Sequence, residues 1–190
     1  DEANEVLKLQ SQIKQEIEKF GYDHPKSSEL AITYAQMCNS LSKPLLSKQG
    51  RKQALAKRLL ETALHFLKLD SALLLYLENR KELAVTLNNL GCLYQNQRNQ
   101  QASLEMLMQA IGLESSMDPE PTHAATLISA CTVLGTLGRH EEALEMAHRA
   151  VTLLTRDRFW ASQADPSDPG PAGDLLPTAF HNLALECEHA

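Results

Sequence analysis

Apolar residues recur along most of this chain at spacings of three and four, the period of an amphipathic helix. The pattern predicts helices over 82–97, 100–114, 123–137 and 140–155. A turn at Arg98-Asn99 separates the first two, and Gly138 separates the others. Gly138 suits the left-handed residue that ends a helix. Glu141 and Glu142 suit the positive start of the next helix. Each pair of helices is therefore predicted to form a hairpin.

The two hairpins are copies of one unit, because a shift of 40 residues brings their side chains into register. The matched pairs include Ala84 with Ala124, Thr86 with Thr126, Leu87 with Leu127, Leu104 with Leu144, Ala110 with Ala150 and Leu113 with Leu153. Small residues at corresponding positions would let the helices approach closely. A repeat of this length indicates a solenoid of stacked hairpins.

The rest of the chain fits this organisation less regularly. Residues 3–20 are predicted to be a helix of a preceding repeat, and 27–69 an irregular repeat with helices near 27–43 and 51–69. Pro44 ends the first of these helices. The stretch 71–79 extends the helix before it or begins the one after. Residues 177–190 form a capping helix or the first helix of a further unit. Because the chain begins with Asp1 inside a helical pattern, we interpret it as an excerpt of a longer protein.

An insertion loop is predicted over 156–176, since residues 156–177 hold four prolines and two glycines. Loops of this length are usually disordered or functional. One interpretation is a disordered insertion. The other is that "GDLLP" or Phe159-Trp160 folds back onto a neighbouring surface and acts as an internal ligand.

The residues of both copies resemble the tetratricopeptide repeat, whose pattern has a large residue, Leu-Gly and Tyr in the first helix and small and bulky residues in the second. The matching positions are Leu87, Leu90-Gly91, Tyr94, Ser103, Leu107 and Ala110, then Leu127, Ala130-Cys131, Leu134, Ala143, Ala147 and Ala150. "GYDHP" at 21–25 and "LNNLG" at 87–91 are similar to the kinesin light chain subclass. The resemblance implies an all-α, right-handed superhelical solenoid of antiparallel helix pairs. It implies a single array over 1–190, with full repeats at 82–115 and 123–155.

In such a solenoid the first helices line a concave groove that binds a peptide. We call the predicted peptide-binding residues the predicted wall: Asn88, Asn89, Gln95, Asn96, Ser129, Thr132, His181 and Asn182. An asparagine amide both donates and accepts hydrogen bonds, and the family uses the position of Asn89 to grip a peptide backbone. Asn88 could instead bond to an adjacent repeat. The alternative is that both asparagines only satisfy backbone groups between repeats.

The predicted wall is polar and neutral. Val85, Cys92, Ala125 and Ser129 stand where a clamp for a C-terminal carboxylate would need charged or amide groups. A chaperone-tail clamp is therefore not expected.

Charge and composition narrow the class of partner. A formal net charge of −6 argues against nucleic-acid binding.

We define the basic patch as Lys43, Lys48, Arg51, Lys52, Lys57 and Arg58, with no acid between Glu29 and Glu61. It is a solvated surface or a site for an acidic partner.

The apolar runs are too short to insert into a membrane. The cysteines at 38, 92, 131 and 187 lack disulfide or zinc spacing, which favours small core residues in a reduced, cytoplasmic protein.

No catalytic motif is apparent. "HEEAL" at 140–144 begins like a zinc-protease helix, but position 144 is Leu and the second ligand is missing. We therefore predict a non-enzymatic scaffold without metal or cofactor, which binds a peptide segment of a partner protein. The kinesin light chain resemblance implies a cargo-adaptor or cytoskeleton-associated role. The alternative is a regulatory or autoinhibitory domain of a larger protein whose enzymatic domain lies outside these residues.

Overall fold

A computed structural model describes residues 2–21, 24–68, 77–118, 120–164 and 170–189. These residues form α-helices and no strand, which confirms the all-α prediction. The helices are α1 (Glu2–Phe20), α2 (Pro25–Ser42), α3 (Arg51–Lys68), α4 (Leu77–Asn96), α5 (Gln100–Glu114), α6 (Pro121–Thr136), α7 (His140–Ala164) and α8 (Gly170–His189). A short 3-10 turn, Lys43–Leu45, follows α2. Of the stretch 71–79, residues 77–79 belong to α4, and the rest lies outside the described residues.

The helices form two compact units, unit 1 (residues 1–96) and unit 2 (residues 97–190). In unit 1 consecutive helices from α1 to α4 pack on one another, and α2 also packs on α4. Unit 2 repeats the arrangement, with consecutive contacts from α5 to α8 and a further contact of α6 with α8. Stacked helical hairpins produce this packing of neighbours and of alternate helices. A single array over 1–190 stays a prediction.

The core of unit 2 follows the small-residue positions of the repeat. Leu107, Leu134 and the alanines at 143, 147 and 150 are fully buried. Alanine leaves room for α7 to lie close against α6, while the leucines fill the remaining space. Leu176 and Ala179 of α8 belong to the same cluster of buried side chains.

The two predicted turns have the same backbone conformation. Arg98 and Gly138 stand 40 residues apart in the repeat register, and both have positive φ, 59° and 72° respectively. Asn99 then caps α5, because its side chain accepts a hydrogen bond from the backbone N–H of Ala102 at 3.2 Å. The turns predicted from local sequence are confirmed.

Arg98→Gly should stabilise the protein, because a left-handed conformation strains any residue that carries a Cβ. We expect a gain of about 0.5–1 kcal/mol in the free energy of unfolding, after allowing for the extra freedom of glycine in the unfolded chain. Gly138→Arg is the matched reverse change and should lose a similar amount. Urea denaturation of both variants measures this, and equal effects of the same sign would contradict it.

The predicted loop over 156–176 is wrong in its extent. Helix α7 continues to Ala164 and α8 begins at Gly170, so helix occupies most of the predicted loop, and the last helix starts before residue 177. A proline is tolerated in the first turn of a helix, because the backbone N–H groups there have no acceptor within the helix. Pro171 lies in the first turn of α8 and is therefore compatible with it. Pro177 lies inside α8 and removes one helical hydrogen bond. The side chains of 157–174 lie outside the described part of the chain, as does Phe159-Trp160.

Two of the four cysteines match the predicted core role closely. Cys38 and Cys131 are buried, and burial raises the pKa of each thiol to about 11. Cys92 is half-buried, whereas Cys187 is exposed on α8, so the core prediction is wrong for Cys187. In the described part of the chain, no helix combines the length and apolar character needed to cross a membrane.

Candidate functional site

Asn89 lies inside unit 1, with 4% of its surface exposed. Its Nδ2 donates a hydrogen bond to Oδ1 of Asn39 on α2 at 2.9 Å. Nδ2 of Asn39 donates in turn to Oγ1 of Thr86 at 3.0 Å and to Oε2 of Glu82 at 3.2 Å. Asn39 and Asn89 therefore join α2 to α4 through their side chains, whereas the alternative interpretation expected bonds to backbone groups. A role for Asn89 in gripping a peptide stays a prediction.

The other predicted-wall residues of α4 differ in their exposure. Asn88 is half-buried, and its Oδ1 is shut off from solvent without a hydrogen-bond partner among the described residues. Gln95 is half-buried near the end of the helix. Asn96 is exposed and donates to the backbone carbonyl of Leu46 at 3.1 Å. The accessible part of this stretch is its C-terminal turn.

In unit 2 the structure brings two predicted-wall residues together. Nδ2 of Asn182 on α8 donates to Oγ1 of Thr132 on α6 at 3.2 Å. Ser129 is half-buried and donates to its own helix at the carbonyl of Ala125, 3.0 Å away. His181 is exposed. The Thr132–Asn182 link spans 50 residues, as does the Asn39–Asn89 link in unit 1. Alternate helices of both units are thus joined by the same kind of polar contact.

A second polar cluster in unit 2 was not anticipated from the sequence. Glu186 of α8 is only 8% exposed, and its Oε2 lies 2.8 Å from Nδ1 of His140 at the start of α7. The His140 ring stacks on His189, with 4.7 Å between ring centroids. The other carboxylate oxygen, Oε1, fills the space beside Gly135 that a Cβ would occupy. Glu186 therefore holds α8 against both α6 and α7.

Gly135→Ala is expected to break this cluster, because the new Cβ would collide with Oε1 of Glu186. The carboxylate is the end of a flexible side chain and must turn away from His140, which should increase amide hydrogen exchange along α8. The helix preference of alanine at this position should offset much of the loss in the overall free energy of unfolding. Gly112→Ala is the control, since a Cβ there meets open space. That variant should instead stabilise α5 slightly. Unchanged protection of α8 in Gly135→Ala would contradict the prediction.

Most of the basic patch is an exposed surface of unit 1. Lys43, Lys48, Arg51, Lys52 and Arg58 are exposed on the 3-10 turn, the segment after it and α3. Lys57 differs, because its Nζ lies 3.7 Å from Oε1 of Glu61 and 5.3 Å from the ring centroid of Tyr94. Within the described ranges, no carboxylate forms an ion pair with the other five. Arg51 and Lys52 lie in the first turn of α3, which holds no acidic residue to balance the positive end of the helix dipole.

Glu114 is a further residue that sequence reasoning missed. It is only 6% exposed, and its Oε1 accepts a hydrogen bond from Oγ1 of Thr126 at 2.9 Å. Burial raises the pKa of this carboxyl group to about 7, and nearby Glu120 adds to the rise. The repeat register held a signal, because the equivalent position in the next copy is Leu154, which is fully buried. A carboxylate at a core position was therefore detectable from the alignment of the two copies.

Comparison with known families agrees with the repeat. The tetratricopeptide repeat family model matches residues 83–113, which cover most of α4 and nearly all of α5. The match supports a tetratricopeptide repeat protein, while the repeat bounds 82–115 stay a prediction. Repeats of this family generally mediate protein–protein interaction. Comparison with curated proteins gives no significant match.

Among the described residues, no group of three or more His, Cys, Asp or Glu side chains is placed to hold a metal ion.

Proposed function

We propose that this chain is a non-catalytic scaffold that binds a peptide segment of a partner protein along the first helices of its repeats. The repeat match over 83–113 carries the proposal, because this family generally works through protein binding. Accessible polar groups on first helices support it: Asn96 on α4, Thr132 on α6 and His181 on α8 are exposed.

A neutral, polar wall suits the backbone of an extended peptide. Amide and hydroxyl groups can donate to peptide carbonyls and accept from peptide N–H groups, each bond contributing about 0.5–1.5 kcal/mol. Because each bond contributes so little, several repeats must bind the peptide together to reach micromolar affinity or better. Contacts with other surfaces of the protein would select among peptide sequences. The five exposed cations of the basic patch would attract an acidic segment of the same partner, an effect that salt weakens. A cargo-adaptor or cytoskeleton-associated role is the finer form of this proposal.

A matched pair of substitutions tests the wall. Thr132 on α6 and Thr155 on α7 are both exposed, and each hydroxyl donates to the carbonyl four residues earlier. Because Thr132 also accepts a hydrogen bond from Asn182 of α8, hydrogen exchange of α8 amides must first show that Thr132→Arg keeps this helix in place. Peptides would be selected from a random display library on the whole chain, and their affinities measured by fluorescence anisotropy. Thr132→Arg should weaken binding by about tenfold or more, a loss of roughly 1.4 kcal/mol. Thr155→Arg should leave it unchanged.

Three outcomes would count against the scaffold or relocate its site. Equal affinities in both variants would remove the wall from the binding site, and failure to select any specific peptide would contradict a peptide scaffold. Replacement of Phe159 and Trp160 by serine removes one of the two proposed internal ligands and tests the regulatory alternative. Tighter binding after that replacement would favour an autoinhibitory role.

A further inference from the structure

A cavity of about 390 Å³ lies in unit 2 between α5, α6 and α7. Ile111, Leu127 and Leu153 contribute apolar walls, and Glu114 is the acidic residue among its lining side chains. His148 and Arg149 of α7 also line it. This volume is at the small end of the range for ligand pockets, which suits one long side chain better than a folded ligand.

Glu114 is accounted for only in part by the fold. One carboxylate oxygen accepts the hydroxyl of Thr126, but no ion pair engages Glu114 in the part of the chain that the structure describes. A buried carboxylate without a cation is costly to ionise, and burial raises its pKa to about 7. At neutral pH the group is therefore poised between its acid and its carboxylate, and a nearby positive charge would favour the carboxylate.

Four other charged or titratable residues lie around the cavity, on the segment before α6, on α6 and on α7. Glu120 before α6 adds negative potential. His123 of α6 is engaged through Nδ1, which accepts from the backbone N–H of Glu120 at 3.3 Å. Arg149 of α7 is turned along its own helix, with Nη1 3.8 Å from Oε1 of Glu145. His148 is exposed. The one carboxylate that lines the cavity thus remains available for an incoming cation.

We propose that this cavity binds a lysine or arginine side chain of a partner protein, with Glu114 pairing the cationic head and the apolar walls covering the methylene stem. A partly buried carboxylate attracts a cation more strongly than an exposed one does, because the effective dielectric constant is lower. An anion would instead be repelled by Glu114, and a purely apolar side chain would leave the carboxylate without a cation. The site is independent of the predicted wall, so either proposal can fail alone.

The test uses two small probes with the same stem, N-acetyl-lysine methylamide and N-acetyl-norleucine methylamide, titrated into the whole chain. NMR signals of the Ile111, Met117 and Leu127 methyl groups report on the cavity, which these residues line. We expect saturable shifts with the lysine probe at millimolar concentration and at least about tenfold weaker binding of the norleucine probe. Affinity for lysine should rise about tenfold between pH 6 and pH 8, because a carboxyl group with a pKa of about 7 ionises over that range.

Two variants complete the test. Glu114→Gln keeps an oxygen to accept from Thr126 and should reduce lysine binding to the norleucine level, without pH dependence. Arg149→Gln removes a positive charge from the cavity lining and should strengthen lysine binding. Equal binding of both probes, undiminished lysine binding in Glu114→Gln, or no shift at saturating probe would overturn the proposal. Preferential binding of N-acetyl-glutamate methylamide, lost in Arg149→Gln, would identify an anion site and also overturn it.

Discussion

Asn39→Ala is expected to lower the free energy of unfolding of unit 1 by about 3 kcal/mol, because it removes the centre of a buried polar network. The Asn39 amide makes three side-chain hydrogen bonds, to Asn89, Thr86 and Glu82. Its loss leaves Nδ2 of Asn89 without a partner in a site that is 4% exposed. A buried unsatisfied donor is costly, since it forgoes hydrogen bonds with water and gains none in exchange.

Hydrogen exchange of α2 and α4 amides in the whole chain measures this loss within unit 1. Asn96→Ala is the control, because its hydrogen bond to Leu46 is exposed and should contribute less than about 1 kcal/mol. The double variant Asn39→Leu with Asn89→Leu should recover much of the stability, since it removes both polar partners together. Similar effects of Asn39→Ala and Asn96→Ala would contradict the network. The same result bears on peptide binding, because an Asn89 variant would then act partly through unfolding.

The stability of unit 2 should depend on pH through Glu114. Its pKa is about 7 in the folded protein against a reference value of 4.5, so the folded state holds the proton more tightly. The stabilising effect of that proton is complete below pH 4.5 and is lost as pH rises through about 7. Relative to Glu114→Gln, the wild type should therefore lose about 3 kcal/mol between pH 4.5 and pH 8, at 1.36 kcal/mol for each pKa unit.

Urea denaturation of both proteins at several pH values measures this difference, with hydrogen exchange of α5 and α6 amides assigning it to unit 2. Glu105→Gln removes a carboxylate from the exposed face of the same helix and provides the baseline for loss of one surface charge. The glutamine at 114 retains an acceptor for Thr126, so the comparison isolates the titration. Parallel pH profiles of the wild type and Glu114→Gln would show that Glu114 ionises as readily in the folded state as in the unfolded chain.

Local features were predicted well from the sequence. The bounds of α5 and the turns at Arg98 and Gly138 follow from apolar spacing, and at Gly138 also from a residue that favours a left-handed conformation. These features depend on interactions between residues a few positions apart, which a linear pattern records directly. The loop over 156–176 was predicted poorly because its prolines were interpreted as excluding helix. Proline weakens a helix without excluding it from the first turn, and packing of Leu176 in the unit 2 core favours helix there.

The candidate sites depended on tertiary structure. The sequence placed Asn89, Thr132 and Asn182 on first helices, but it did not reveal their partners. Those partners lie 50 residues away in the chain, and no local pattern encodes which side chain will face which. For Glu114, the repeat register with Leu154 indicates a core position. The sequence does not indicate the cavity beside Glu114, because that cavity arises from the packing of three helices. The sequence alone thus determined the helices and their repeat, because backbone geometry follows local spacing. Only the tertiary structure decided which polar groups are buried and paired, because burial depends on neighbours that are distant in sequence.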